Sequence, residues 1–81
     1  MDDDDRRAAH IAATSLVVQD LVEIMHQLAP DLVEAKLRAA RLYVQELEAG
    51  RLQNDRVEQQ AHRNRRDLLE RGVARSRETD D

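Results

Sequence analysis

Val17-Val18-Gln19-Asp20-Leu21-Val22-Glu23-Ile24-Met25-His26-Gln27-Leu28-Ala29-Pro30-Asp31 is the stretch that decides the fold. Up to Leu28 its apolar residues return every three or four positions, the period of an α-helix and not of a strand. Ala29-Pro30-Asp31 then breaks the pattern. A proline disfavours helical geometry at the residue before it. The same ring suits the first turn of a following helix, where a missing N–H costs nothing. Asp31 and Glu34 fall in that first turn, at the positive end of the helix. A connection this tight folds two helices into an antiparallel hairpin.

Backwards from this stretch, a first helix is predicted to start near Asp5 to Ala8 and to end near Leu28. Its apolar residues cover a broad arc of the helical wheel, with Gln19, Asp20, Glu23 and Gln27 facing the other way. The arc holds two adjacent seams, Val17, Leu21, Ile24, Leu28 and Ile11, Ser15, Val18, Val22, Met25. A hairpin supplies one neighbouring helix. A face this wide needs two, so the second must come from another chain or from a third helix.

Forwards, a second helix is predicted from about Asp31 to at least Ala49, with Leu32, Val33, Leu37, Ala40, Tyr43, Val44 and Leu47 on one face. Gly50 admits two readings. It ends the helix in the left-handed conformation, and a third helix starts at an N-cap of Asn54 or Asp55. Otherwise the helix runs through it at about 1 kcal/mol relative to Ala. In that case a heptad seam continues through Ala40, Tyr43, Leu47, Gly50, Asn54, Val57, Ala61, Asn64 and Leu68.

Composition supports a helical reading. The 81 residues contain no cysteine, phenylalanine or tryptophan, and Tyr43 is the lone aromatic. Disulfides and thiolate metal sites are therefore excluded, which fits a reducing, cytoplasmic setting. Leu, Ile and Val number fourteen before Gly50 and five after it, so the first half carries most of the material for a core. Charge divides in the same way. Residues 1–50 carry ten acids and five bases, whereas residues 51–77 carry eight arginines and four acids. No apolar run exceeds Leu16-Val17-Val18, so no membrane span is expected. The Asp-rich start is read as native, its carboxylates stabilising a helix N-terminus; the rival reading is a remnant resembling a protease-cleavage tag.

Candidate chemistry is sparse. Glu23 and His26 have the Glu-x-x-His spacing of carboxylate-bridged metal bundles, but the wheel turns Glu23 to the polar side. Glu58 and His62, four apart, read as a contact along a wet helix. His10 has no evident partner, and Ser15 and Ser76 lie in no nucleophile-elbow context. Met25 and Tyr43 read as plain core. Arg51, Arg56, Arg63, Arg65, Arg66, Arg71, Arg75 and Arg77 could lie on phosphates. However, Asp55, Glu58, Asp67 and Glu70 are interspersed among them, which is the pattern of a solvated helix face. A further option is that this basic segment pairs with acidic residues of a neighbouring subunit or partner.

The sequence thus predicts an all-α chain. An acidic N-terminal tail occupies 1–5, an apolar hairpin and dimerisation core 6–49, an Arg-rich polar helix or helix extension 50–74, and a flexible tail 75–81. The expected function is non-enzymatic, an oligomerisation or interaction protein forming a homodimeric or larger helical bundle with coiled-coil character and meeting itself or another protein. Its expected interface is Ile11, Val17, Val18, Leu21, Val22, Ile24, Met25, Leu28, Leu37, Val44 and Leu47. No catalytic residue, metal or cofactor is assigned. The alternative is a dimeric nucleic-acid-binding regulator using Arg56, Arg63, Arg65 and Arg66. Leu21→Glu or Ile24→Glu is expected to leave a monomeric, largely unfolded chain.

Overall fold

Three helices make up the described residues, 1–79, of this computed structural model: α1 (Asp3–Leu28), α2 (Pro30–Glu48) and α3 (Arg56–Thr79). The all-α class expected from the sequence is what is found. Local chemistry fixes each helix end. The Asp2 carboxylate accepts a hydrogen bond from the Asp5 N–H at 2.8 Å, and Asp3, Asp4 and Asp5 occupy the first turn. The stretch expected to be an acidic tail is therefore the capped start of α1. Ala29 alone separates α1 from α2, with Pro30 in the first turn beyond it.

Gly50 ends α2, which removes the continuous-helix reading and the heptad seam across it. Its φ of +73° is left-handed, and glycine adopts this conformation without a Cβ clash. The Gly50 N–H donates to the Leu47 carbonyl and the Arg51 N–H to the Glu46 carbonyl, each at 3.0 Å, the paired bonds of a Schellman motif. Where such motifs often carry an apolar contact, here Arg51 ion-pairs with Glu46 at 2.8 Å. After the loop, Asp55 caps α3 by accepting from the Glu58 N–H at 2.8 Å. Asn54 donates to the Tyr43 hydroxyl at 3.0 Å, tying the loop to α2. Helix α3 continues to Thr79, so most of the segment expected to be a flexible tail is helical; Asp80 and Asp81 lie outside the described residues.

The packing differs from an isolated hairpin with a weak appendage. Helix α3 meets both other helices extensively, and α1 meets α2 least. It runs parallel to α1, since Val22 faces Gly72 and His26 faces Ser76, and antiparallel to α2, since Arg41 meets Glu70 and Glu34 meets Arg77. The core gathers Val33 and Leu37 of α2 with Val73 of α3, flanked by Val22 and Leu69. Ala40, Val44 and Leu47 complete the buried face of α2. Gly72 is buried against α1, and a Cβ there would overlap the Cβ and Cγ1 atoms of Val22. Close helix approach at this point therefore depends on glycine.

The body that results is thin, 40 × 40 × 15 Å, with a radius of gyration of 14.7 Å. A compact domain of this length would have a radius near 12 Å. The accessible surface is 6201 Å², against about 5,000 Å² for a compact monomer of this mass. The chain therefore leaves roughly 1,200 Å² more in water than its size requires.

Candidate functional site

Helix α1 holds most of the large exposed apolar residues. Its buried residues are Gln19 and His26, with Ser15, Val18, Val22 and Glu23 half-buried beside them. This stripe, largely polar, lies against α3. The apolar seam faces outward: Val17 is 55 % exposed, Leu21 56 %, Ile24 50 % and Leu28 75 %. Met25 and Ile11 are also exposed, so Met25 is not the core residue expected. The sequence placed Gln19 and Glu23 on the solvent side, whereas the structure turns them inward. Parallel packing on Gly72 and Ser76 favours a slim, polar stripe of α1 over its bulky one.

The residues expected to form the interface therefore separate into groups. Ile11, Val17, Leu21, Ile24, Met25 and Leu28 are at the surface. Val18 and Val22 are half-buried against α3. Leu37, Val44 and Leu47 are inside the chain's own core, and their expected place in an interface is corrected accordingly: α3 covers them. A groove of about 400 Å³ between the N-terminal halves of α1 and α3 is lined by Ile11, Val18 and Leu68 together with His10, Asp67 and Arg71.

One polar cluster was missed from the sequence because its members are 50 residues apart. His26 Nδ1 lies 2.7 Å from Ser76 Oγ, and His26 Nε2 lies 3.8 Å from Glu34 Oε1. Arg77 is hydrogen-bonded to the same Glu34 carboxylate. That bond, with the charges of Arg77 and His26, holds the Glu34 carboxyl below its ordinary value despite the opposing effect of desolvation. Hydroxyl, imidazole and carboxylate stand in the order of a nucleophilic triad. Ser76, however, is wholly buried, so its oxygen is closed off from solvent. The cluster joins all three helices at the closed end of the molecule. His26 Nε2 is left there as a buried polar atom without a hydrogen bond.

The Arg-rich helix is largely engaged within the chain. Arg75 contacts Asp20 at 2.6 Å and Glu23 at 3.2 Å, and Arg77 pairs with Glu34. Arg63 lies 4.0 Å from Glu48, and Arg66 pairs with Asp67 at 3.1 Å. Five of the eight arginines after Gly50 thus have a carboxylate partner; among the described residues Arg56, Arg65 and Arg71 have none. Four of these pairs, those of Arg51, Arg63, Arg75 and Arg77, join the basic segment to acidic residues of the chain's own first half. Glu23 is held by Arg75 and by the Thr79 hydroxyl, and His62 stacks on Tyr43 with ring centroids 4.1 Å apart. Among the described residues no group of three or more ligating side chains is placed to hold a metal.

Helix α1 contains an 18-residue window of mean hydropathy 1.3, only 6 % buried. By length and composition it therefore meets the requirement for crossing a bilayer, which the short apolar runs did not suggest. Asp20 and Glu23 interrupt it, and both are bonded to α3. Compared with protein-family models, curated proteins and solved structures, the chain gives no match.

Proposed function

We propose that this chain is a non-enzymatic helical interaction module that works by associating through the outer face of α1. The observation that carries this reading is the exposure of Val17, Leu21, Ile24 and Leu28, four large apolar residues in a 3,4 spacing on one helix. Covering one such side chain stabilises an assembly by roughly 1.5–3 kcal/mol. The surplus accessible surface of about 1,200 Å² exceeds the roughly 800 Å² that each partner loses in a standard protein interface. Association of this face would bring the exposed area towards that of an ordinary compact protein.

The nucleic-acid reading has less support. Arg63 and Arg66 have carboxylate neighbours, and of the arginines expected to bind phosphate only Arg56 and Arg65 lack one among the described residues. Sedimentation across micromolar concentrations tests the proposal. The parent chain should exceed its 9.3 kDa monomer mass, and Leu21→Glu/Ile24→Glu should return it to that mass. A parent that stays monomeric throughout would overturn the proposal.

A further inference from the structure

Resting on that reading, we infer that the occupant of the α1 face is a second copy of this chain, laid antiparallel so that Val17 meets Leu28 and Leu21 meets Ile24 of the other copy. Three observations bear on the occupant and its direction, the first admitting the antiparallel pairing and the other two favouring it. The first is geometric. Val17, Leu21, Ile24 and Leu28 follow a 4,3,4 spacing, a seam that reads the same from either end. Two such seams run in opposite directions pair all four residues with none left over. Each copy hides the exposed seam, and the chain's surplus surface is large enough to supply the roughly 800 Å² that one side of a stable dimer buries.

The second observation is what flanks the seam. Val18 and Met25 lie along one side, and Asp20 and Gln27 along the other. Residues beside a helix–helix seam set its orientation. Antiparallel pairing brings each flank against its own kind, apolar on apolar and polar on polar. Parallel pairing would set Val18 and Met25 against Asp20 and Gln27, burying apolar side chains beside a carboxylate. Asp20 is already bonded to Arg75, which keeps that flank at the wet edge.

The third observation is electrostatic. Asp2, Asp3, Asp4 and Asp5 crowd the first turn and cap of α1. Parallel copies would bring eight carboxylates together at one end. Antiparallel copies separate them to the two opposite, outer ends of the paired helices. Two opposed helices also align their dipoles favourably.

The chain has no cysteine, so single substitutions report the direction without background. Cysteine is small and apolar, which suits a seam position. In the antiparallel pairing Val17 and its own copy are separated by eleven residues of helix, about 16 Å, beyond the reach of a disulfide. Full-length Val17→Cys and Leu28→Cys should each oxidise without forming a linked dimer. When the two are mixed, unfolded and refolded together, they should form a disulfide-linked dimer, and the double variant should link with itself. A Val17→Cys chain that links to itself overturns the antiparallel arrangement, and so does the absence of linkage in every combination. If the parent still sediments above monomer mass in those cases, the interaction reading stands and only this inference fails. If the parent is monomeric, both fail.

Discussion

Helices α1 and α2 treat their apolar residues in opposite ways. Helix α2 turns Val33, Leu37, Ala40, Val44 and Leu47 inward against the chain's own core, although Leu32, expected on the same face, and Leu42 stay exposed. Helix α1 buries Gln19 and His26 and leaves Leu21, Ile24 and Leu28 in water. One helix thus finishes its packing inside the molecule, and the other finishes it outside. The difference follows from α3, which has one apolar stripe, through Leu69 and Val73. The adjoining contact with α1, at Gly72 and Ser76, admits only a slim or polar partner.

The largest effect should come from breaking the finished helix. Leu37 is 3 % exposed and sits in the cluster that joins α2 to α3. Leu37→Ala should destabilise by about 2–5 kcal/mol, a truncation with a cavity left behind. In so thin a molecule that is enough to unfold it near room temperature. Loss of the helical circular-dichroism signal at every protein concentration checks this.

The corresponding change on α1 should behave differently, and here the structure revises an expectation. Leu21 is not part of the core cluster and is 56 % exposed, so Leu21→Glu removes little intrachain packing. A surface change of this kind shifts the stability of the isolated chain by about 0.5 kcal/mol or less. The variant should therefore keep its helices while losing association, in place of the unfolded monomer that the sequence suggested. Its melting temperature should become independent of concentration, whereas that of the parent rises with concentration. Equal concentration dependence in both would erase the contrast between the helices.

Glycine at the α1–α3 crossing offers an intermediate test. Gly72→Ala gains about 1 kcal/mol of helix propensity. Against this, the added methyl would overlap Val22, and such overpacking costs typically 1–3 kcal/mol. Net destabilisation is expected, and Gly72→Ala combined with Val22→Ala should recover part of the loss. A stabilised single variant would mean that α1 does not rest on α3 as closely as described.

The extent to which this fold can be read in the sequence follows the same division. Pro30, Asp55 and the residues before Gly50 act through their immediate neighbours, so helix boundaries at Ala29 and Gly50 are legible, the latter as one of two options. The apolar face of α2 is legible because one period of side chains meets one partner. The inward stripe of α1 is not, because it depends on which residues of α3 are small, and Gly72 and Ser76 are distant in the chain. The link from His26 to Ser76 and Glu34 is hidden for the same reason. The acidic start was legible in its chemistry, as carboxylates at a helix N-terminus, but not in its boundary: α1 begins at Asp3 with Asp2 as its cap, earlier than the expected start near Asp5 to Ala8.

Acid should act on the closed end, where α1, α2 and α3 share one polar cluster. The Glu34 carboxyl is held below its ordinary value of 4.5, first by its hydrogen bond to Arg77. A carboxyl lowered on folding stabilises the native state fully above its unfolded value, and that contribution disappears as pH falls through the folded value. The parent should therefore lose melting temperature below about pH 4.5 relative to Glu34→Gln, whose amide does not titrate. At neutral pH the parent should be the more stable of the two. Melting curves that run parallel from neutral pH to pH 3 would show that the Arg77 pair contributes nothing.

The smallest effects separate engaged arginines from free ones on α3. Arg75 holds two acidic residues of α1, but the pair is open to solvent. Removing it as Arg75→Ala should cost about 0.5 kcal/mol, and less in high salt. Arg65 has no carboxylate partner among the described residues, and Arg65→Ala should be indistinguishable from the parent in thermal melting. The same pair of variants probes the weaker functional reading. If α3 contacted phosphates, Arg65→Ala would reduce binding to a DNA duplex at low salt and lower its salt dependence by about one unit of slope. With the acidic residues of α1 and α2 already neutralising much of the helix, no retardation of a duplex is expected for either chain. A shift that disappears in Arg65→Ala would make the free arginines, and not the α1 seam, the surface on which the chain acts.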